Sequence, residues 1–385
     1  MASMSDMEKQ PLREQYQSIS TNNCPCQHGQ IYEYGYQERR QRRFGGFSRF
    51  FGKLAVAACV LFLFVHVRPT WFTGRPHLRD QPYEQPVVHN IDGSNDLAAW
   101  ADSQRYCNSS PSIPWNGKSV YDIQNTVKAV VVEHKSKNNQ GLSIMHGWGK
   151  VVRNADLESP RVTFDVFFDS DDLQDVVYIE EDIQEDKVRL QLNTDSHYTQ
   201  QGCFTIYVTV ELPALDSLDF LGLGIISGDV TSEEEFTFRS EAVLATVSGN
   251  VKTEKLLTSP KIVLATVSGD VNSLTDIGEG SLDAASVSGN VQAIVGEALP
   301  NSNVKVDSVS GDVSLVMPVS LDSKFKVSVL SGKIELNSIE PERLHYKESR
   351  GPIGRSAKGY VGDNADASSS INVNTVSGNA NITFI

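Results

Sequence analysis

The chain has 385 residues, 39% hydrophobic and 8% aromatic, which suits a globular protein of two domains with tails. Charge is unevenly spread: residues 1–79 hold 11 Lys and Arg against 5 Asp and Glu, a net +6, whereas residues 80–385 hold 23 against 43, a net −20. So acidic a C-terminal part excludes nucleic acid as a partner, because that binding rests on cationic contacts to phosphate.

Residues 1–49 are rich in Gln, Ser, Asn, Tyr and Arg and poor in aliphatic side chains, the composition of a disordered tail. From Leu54 to Val67 the sequence carries no formal charge, but fourteen residues rise only about 21 Å, short of a hydrocarbon core of about 30 Å. Extended to 50–72 it becomes a single-pass transmembrane helix, with Lys53 and Arg68 able to snorkel and Trp71 and Phe72 at the depth of an aromatic belt. Arg39, Arg40, Arg42, Arg43, Arg49 and Lys53 precede it, against Arg68, Arg75 and Arg79 after it. That asymmetry predicts a cytosolic N-terminus acting as a signal-anchor, with the rest outside the cell or in the lumen of the secretory pathway. A cleaved signal peptide is the rival reading, against which stands the long polar lead. A buried soluble helix is the other.

Residues 73–114 lack periodicity and read as a linker or stalk. Asn108 and Asn381 open glycosylation sequons. Cys107 and Cys203 are the only cysteines after the apolar segment, and an even pair in an oxidising compartment is expected to bridge, two free thiols being the alternative. Residues 115–220 hold strand-like runs at Val127–Glu133, Leu142–Val152, Arg161–Phe168, Val176–Glu180, Val188–Leu192 and Cys203–Leu212. This β-rich capping region is expected to cover the N-terminal edge of the repeat region that begins at Leu221.

Residues 221–385 repeat one phrase, an apolar run, Ser-Gly, a polar residue and a small apolar residue. Its copies are Ser227-Gly228-Asp229, Ser248-Gly249-Asn250, Ser268-Gly269-Asp270, Ser288-Gly289-Asn290, Ser310-Gly311-Asp312, Ser331-Gly332-Lys333 and Ser377-Gly378-Asn379. Intervals of 21, 20, 20, 22, 21 and 46 residues separate them. Periods of this size mean stacked units that cannot bury their faces alone. Positions six and four before each Ser are apolar in every copy, and the position between turns polar from the fourth copy on. Such alternation is the period of a half-buried strand. Each copy therefore reads as a strand, a corner at Gly, a second strand and a return: one coil of a β-solenoid in an all-β fold. Seven coils at about 4.8 Å would make a rod of roughly 34 Å.

The residue after Gly should form a ladder along the corners. Neighbouring carboxylates would repel by roughly 1 kcal/mol in bulk water. Interleaved Asn relieves that and lets an amide donate to the carboxylate on the next coil, with Lys333 as counter-charge. A row of calcium sites is the sharper alternative, but it needs several acids per turn and each copy supplies one. Between the sixth and seventh copies, about 340–370 is Gly-rich and reads as an irregular insertion. Because the chain stops just after the Ser377 coil, that C-terminal edge is expected to be open to a partner strand.

No residues carry recognisable chemistry. Asp169, Asp171, Asp175 and Glu180 fall at calcium-loop offsets, but Leu173 and Gln174 stand where a ligand and a Gly are needed. No HExxH or Gly-x-Ser-x-Gly pattern occurs. No catalytic residue, metal or cofactor is therefore expected. The repeated VSGDV and VSGNV phrases, the Gly-rich excursion and the final TVSGN copy resemble the putative-adhesin family, found in bacterial and fungal proteins, over about Leu212–Ile385. The apparent anchor suggests a membrane-anchored member of fungal type. The resemblance implies a surface-exposed solenoid without catalytic residues. The expected function is a membrane-tethered, adhesin-like structural or binding module meeting a cell wall, matrix or protein through a solenoid face or the C-terminal edge. The alternative is a polysaccharide-acting β-helix enzyme, a lyase or hydrolase using acidic residues along a groove.

Overall fold

The computed structural model describes residues 110–135, 142–194, 202–214, 218–351 and 354–385. The polar tail, the 50–72 segment, Cys107 and Asn108 lie outside the described residues. Among the described residues no helix is long and apolar enough to cross a membrane.

Among the described residues eight strands precede the repeat: β1 (Ile113–Pro114), β2 (Val120–Asp122), β3 (Ala129–Lys135), β4 (Leu142–Arg153), β5 (Arg161–Phe168), β6 (Val177–Ile183), β7 (Lys187–Thr194) and β8 (Gly202–Leu212). The first four copies give β9 (Phe220–Ser227), β10 (Asp229–Ser232), β11 (Phe236–Thr237), β12 (Glu241–Ser248), β13 (Val251–Thr253), β14 (Leu257–Thr258), β15 (Lys261–Ser268), β16 (Val271–Gly278), β17 (Ser281–Ser288) and β18 (Val291–Ala298). The remainder are β19 (Asn303–Ser310), β20 (Val313–Met317), β21 (Ser323–Ser331), β22 (Ile334–Ser338), β23 (Leu344–Arg350), β24 (Arg355–Val361), β25 (Ser369–Ser377) and β26 (Ala380–Phe384). All six runs expected in residues 115–220 form strands. Only the short β2 was not legible there, and β1 falls at the end of the stretch read as a linker.

These strands make two sheets whose inward side chains form one core. Each copy supplies a strand to the second sheet, turns at Ser-Gly, and supplies a strand to the first. Copies stack in parallel, residue on residue: Leu244 pairs with Leu223 on one side and Leu264 on the other, and Ser248 with Ser227 and Ser268. The two apolar columns are buried throughout, from Leu221 and Leu223 to Ile371 and Val373. Burying such a side chain contributes about 1.5–3 kcal/mol, which no single coil could collect on its own.

The order of the coils departs from the order of the sequence. The second sheet runs β17, β19, β25, β21 and the first runs β18, β20, β26, β22. The seventh copy therefore lies between the fifth and the sixth. Ser377 pairs with Ser310 on one side and Ser331 on the other, and Ala380 with Val313 and Ile334. This overturns the expected free C-terminal edge. The terminus is held on both sides: the Val319 amide donates to the Ile385 carbonyl at 2.6 Å and the Ile339 amide to the Phe384 carbonyl at 3.0 Å. Phe384 is fully buried and packs on Phe325, ring centres 5.9 Å apart.

The expected irregular insertion is also corrected. After a short 3-10 turn at Pro341–Arg343, β23 and β24 form an antiparallel hairpin in register with β21, so that Phe325, Gly359 and Tyr346 stand in one row. The outer edge of the second sheet is thus β23, and that of the first is β22.

At the other end the preceding region both caps the stack and extends it. β3 and β4 pair in parallel with β9 and β10, and β7 and β8 pair in parallel outside them. Antiparallel β6 closes the second sheet, and antiparallel β5, with the short β1 and β2 on its outer side, closes the first. Here too the later coil, β7 with β8, lies outside the earlier one, so the chain skips a level at each end of the stack.

Candidate binding surface

Taken in spatial order, the corner ladder reads Asp229, Asn250, Asp270, Asn290, Asp312, Asn379, Lys333. Placing the seventh copy between the fifth and sixth makes Asp and Asn alternate without exception and moves Lys333 to the end. No two carboxylates share adjacent rungs. The side-chain oxygen of each rung accepts the backbone N–H of the next, six bonds of 2.7–3.0 Å from Asn250 onto Asp229 through to Lys333 onto Asn379. The expected amide-to-carboxylate bonds form as well at two rungs, Asn250 Nδ2 to Asp229 at 3.1 Å and Asn379 Nδ2 to Asp312 at 3.2 Å. Lys333 has no acceptor to offer a further rung. A cation on an edge strand is a common way of discouraging further pairing.

Two parts of the corner were not foreseen. The residue two before each Ser is Thr246, Thr266, Ser286, Ser308 and Thr375 in the inner copies, and its hydroxyl donates to the Gly carbonyl of the preceding rung at 2.8–3.0 Å. Ile225 and Val329 replace it at the two ends. In sequence order that column reads four hydroxyls, Val329 and a fifth hydroxyl at Thr375, and only the spatial order puts both apolar residues at the ends. The Gly is needed for approach as well as turning: in Gly269, with φ +148°, an added Cβ would strike the Gly249 carbonyl oxygen. Gly228 stands in the same way against the carbonyl of Gly147, so β4 supplies a rung before the first copy. With one side-chain oxygen of each Asp and Asn rung spent on the next backbone N–H, the ladder ties coil to coil, and each Asp rung has an Asn neighbour rather than a second carboxylate.

The other expected sites are dispersed. Cys203 is buried and disulfide-bonded, its partner being outside the described residues. Asn381 sits mid-strand in β26, half-exposed, accepting from Asn337 Nδ2 at 3.3 Å. Asp169 accepts the Cys203 amide at 3.0 Å, and Leu173 of the supposed calcium loop is buried in the core. Glu233, one of the three acids at the β10–β11 turn, pairs with Lys150 at 2.7 Å. Among the described residues no group of three or more His, Cys, Asp or Glu could hold a metal ion. Lys118 lies 4.1 Å over the Tyr121 ring and 3.0 Å from Glu181, and burial with the Glu181 charge pushes the Tyr121 pKa up to about 12. The hollow beside them, about 130 Å³, holds a phenol that stays protonated rather than a nucleophile.

On the second sheet Gly222 and Gly224 leave a shallow trough between Val131 and Val243, with Glu133 and Glu241 at its margins. Residues 207–383 match the model of the Toastrack DUF4097 family, a span running from within β8 through all seven copies. No curated protein matches the chain. Among solved structures, a putative adhesin from Bacteroides fragilis is 14% identical, with 70% of this chain and 98% of that one covered and a TM-score of 0.32. A putative adhesin from Parabacteroides merdae is 12% identical over 72% and 100%, TM-score 0.29. A putative lipid binding protein from Parabacteroides distasonis is 11% identical over 70% and 98%, TM-score 0.29.

Proposed function

We propose that the chain is a membrane-tethered, outward-facing binding module of adhesin type that works without catalysis. The observation that carries this reading is the corner ladder. An Asp or Asn recurs on six of the seven coils, and on each its side-chain oxygen accepts the backbone N–H of the neighbouring coil. The repeat thereby builds a stiff scaffold whose outer faces are free to meet a large partner. The Toastrack match over the same residues agrees with a binding fold. Tethering rests on the apolar stretch from 50 to 72 and its basic N-terminal flank, which favour a stack in the lumen or outside the cell.

The test is retention of the full chain, solubilised in mild detergent, on cell-wall material, matrix polymers and a panel of surface proteins. The reading expects saturable retention on at least one of them. Sugar release from a polysaccharide, abolished by changing one pair of acidic residues, would replace it with the enzyme reading.

A further inference from the structure

The hairpin at the end of the second sheet brings together cations that are far apart in sequence. Lys326 of β21 stands directly opposite Lys358 of β24, and Lys358 directly opposite Lys347 of β23. Side chains in such a row share one face, so three ammonium groups line up across three strands about 4.8 Å apart. Lys324, two residues before Lys326, adds a fourth on the same face, and all four are exposed. None of the four has an ion pair among the described residues, whereas Lys305, two strands away in the same row, is held by Asp307 at 3.0 Å. Glu348, next to Lys347, points to the opposite face of its strand. Like charges placed directly opposite each other destabilise a sheet, and nothing among the described residues offsets these. They occupy a part of the chain whose net charge is −20, so general basicity does not account for them.

The rows on either side are suited to hydroxyl-bearing molecules. On one side the Tyr360 and His345 rings meet at a tilt of 35° with centres 4.6 Å apart. On the other, Ser356 and Ser349 share a hydrogen bond of 2.8 Å beside Ser328. The three rows carry no aliphatic side chain on β21, β24 or β23, the same face of β21 adding only the exposed Leu330, and a face that enters lipid would need several.

We propose that the outer face of β21, β24 and β23 is a docking surface for an acidic polysaccharide strand, with its carboxylates or sulfates along the lysine row and its sugar rings against Tyr360 and His345. This names the partner class of the binding module and rests on that reading. Charge complementarity makes the association salt-dependent and fixes the direction of the bound strand across the β-strands.

The experiment measures retention of the full chain on immobilised polygalacturonate, on an uncharged glucan bearing the same matrix, and on phosphatidylserine vesicles. The expected result is retention on the acidic polymer that weakens with added salt. Lys326→Glu/Lys347→Glu/Lys358→Glu should weaken it about tenfold or more, and the corresponding Gln triple less. These positions are exposed, and circular dichroism checks that both variants keep the wild-type strand content. Equal retention of wild type and Glu triple, preference for the vesicles, or a salt-sensitive dimer abolished by the Glu triple would each overturn the proposal. Retention on the neutral glucan without retention on the acidic polymer would overturn it while leaving the binding-module reading intact. Absence of retention on all three would overturn the proposal, and absence on these and on the wall material, matrix polymers and surface proteins named above would overturn both.

Discussion

Asn290 illustrates how much of the stack is decided one residue at a time. Its side-chain oxygen accepts the Asp312 amide at 2.9 Å, and it separates two carboxylates, Asp270 and Asp312. Asn290→Asp keeps the acceptor and removes only the separation, placing three carboxylates on consecutive rungs. At about 4.8 Å each new contact costs roughly 1 kcal/mol in bulk water, so stability should fall by about 1–2 kcal/mol in urea unfolding and recover in high salt. A loss indifferent to salt would mean that the ladder works by shape. His134 is the other informative residue. It is buried in β3 with Nε2 unpartnered, and burial lowers its pKa to about 4. Unfolded, it takes up a proton near 6.5; folded, only near 4, so its contribution to stability is complete above 6.5 and falls as pH drops through that window. The expected loss is about 3 kcal/mol, and His134→Leu should flatten the slope between pH 6.5 and 4. An unchanged slope in the variant would assign the acid sensitivity to other groups.

Strands and corners were legible because their signal is local. The period-two columns at six and four before each Ser, and the Gly at each turn, set element type without reference to neighbours. The hairpin β23–β24 was not legible for the same reason. His345, Lys347 and Ser349 alternate with Tyr346, Glu348 and Arg350, so both faces of β23 are polar beyond Leu344, and the inward face of β24 offers only Ala357, Gly359 and Val361, too weak an alternation of hydrophobicity to read. The lysine row was hidden with it, since it exists only once the register with β21 is fixed. At this scale Phe384→Ala should cost about 3–5 kcal/mol, because the ring is fully buried against Phe325. Stacked coils contact only their neighbours, so hydrogen exchange should rise in β19–β26 more than in β9–β16. A uniform rise would mean that the stack opens as one unit.

For the whole molecule, the deciding feature is that coil order in space differs from order in sequence at both ends. The sequence contained a sign of this: Asp and Asn alternate through five copies, break at Lys333, and resume at Asn379 only if the last copy is set before the sixth. Spacing alone suggested instead two periods and an insertion. The consequence for folding is that the last seventeen residues of the chain complete both sheets, fill the gap between the fifth and sixth copies, and leave Lys333 and the hairpin at the outer end. Strand order is directly measurable with paired cysteines at outward positions. Ser314 and Asn381 are register partners, as are Asn381 and Glu335, so Ser314 lies one strand spacing from Asn381 and two from Glu335. A disulfide needs Cα atoms within about 7 Å, and two strand spacings come to about 9.6 Å. Ser314→Cys/Asn381→Cys should therefore oxidise to a bridge detectable by mass spectrometry, while Ser314→Cys/Glu335→Cys stays reduced; bridging in the second pair and none in the first would contradict the insertion of the last repeat.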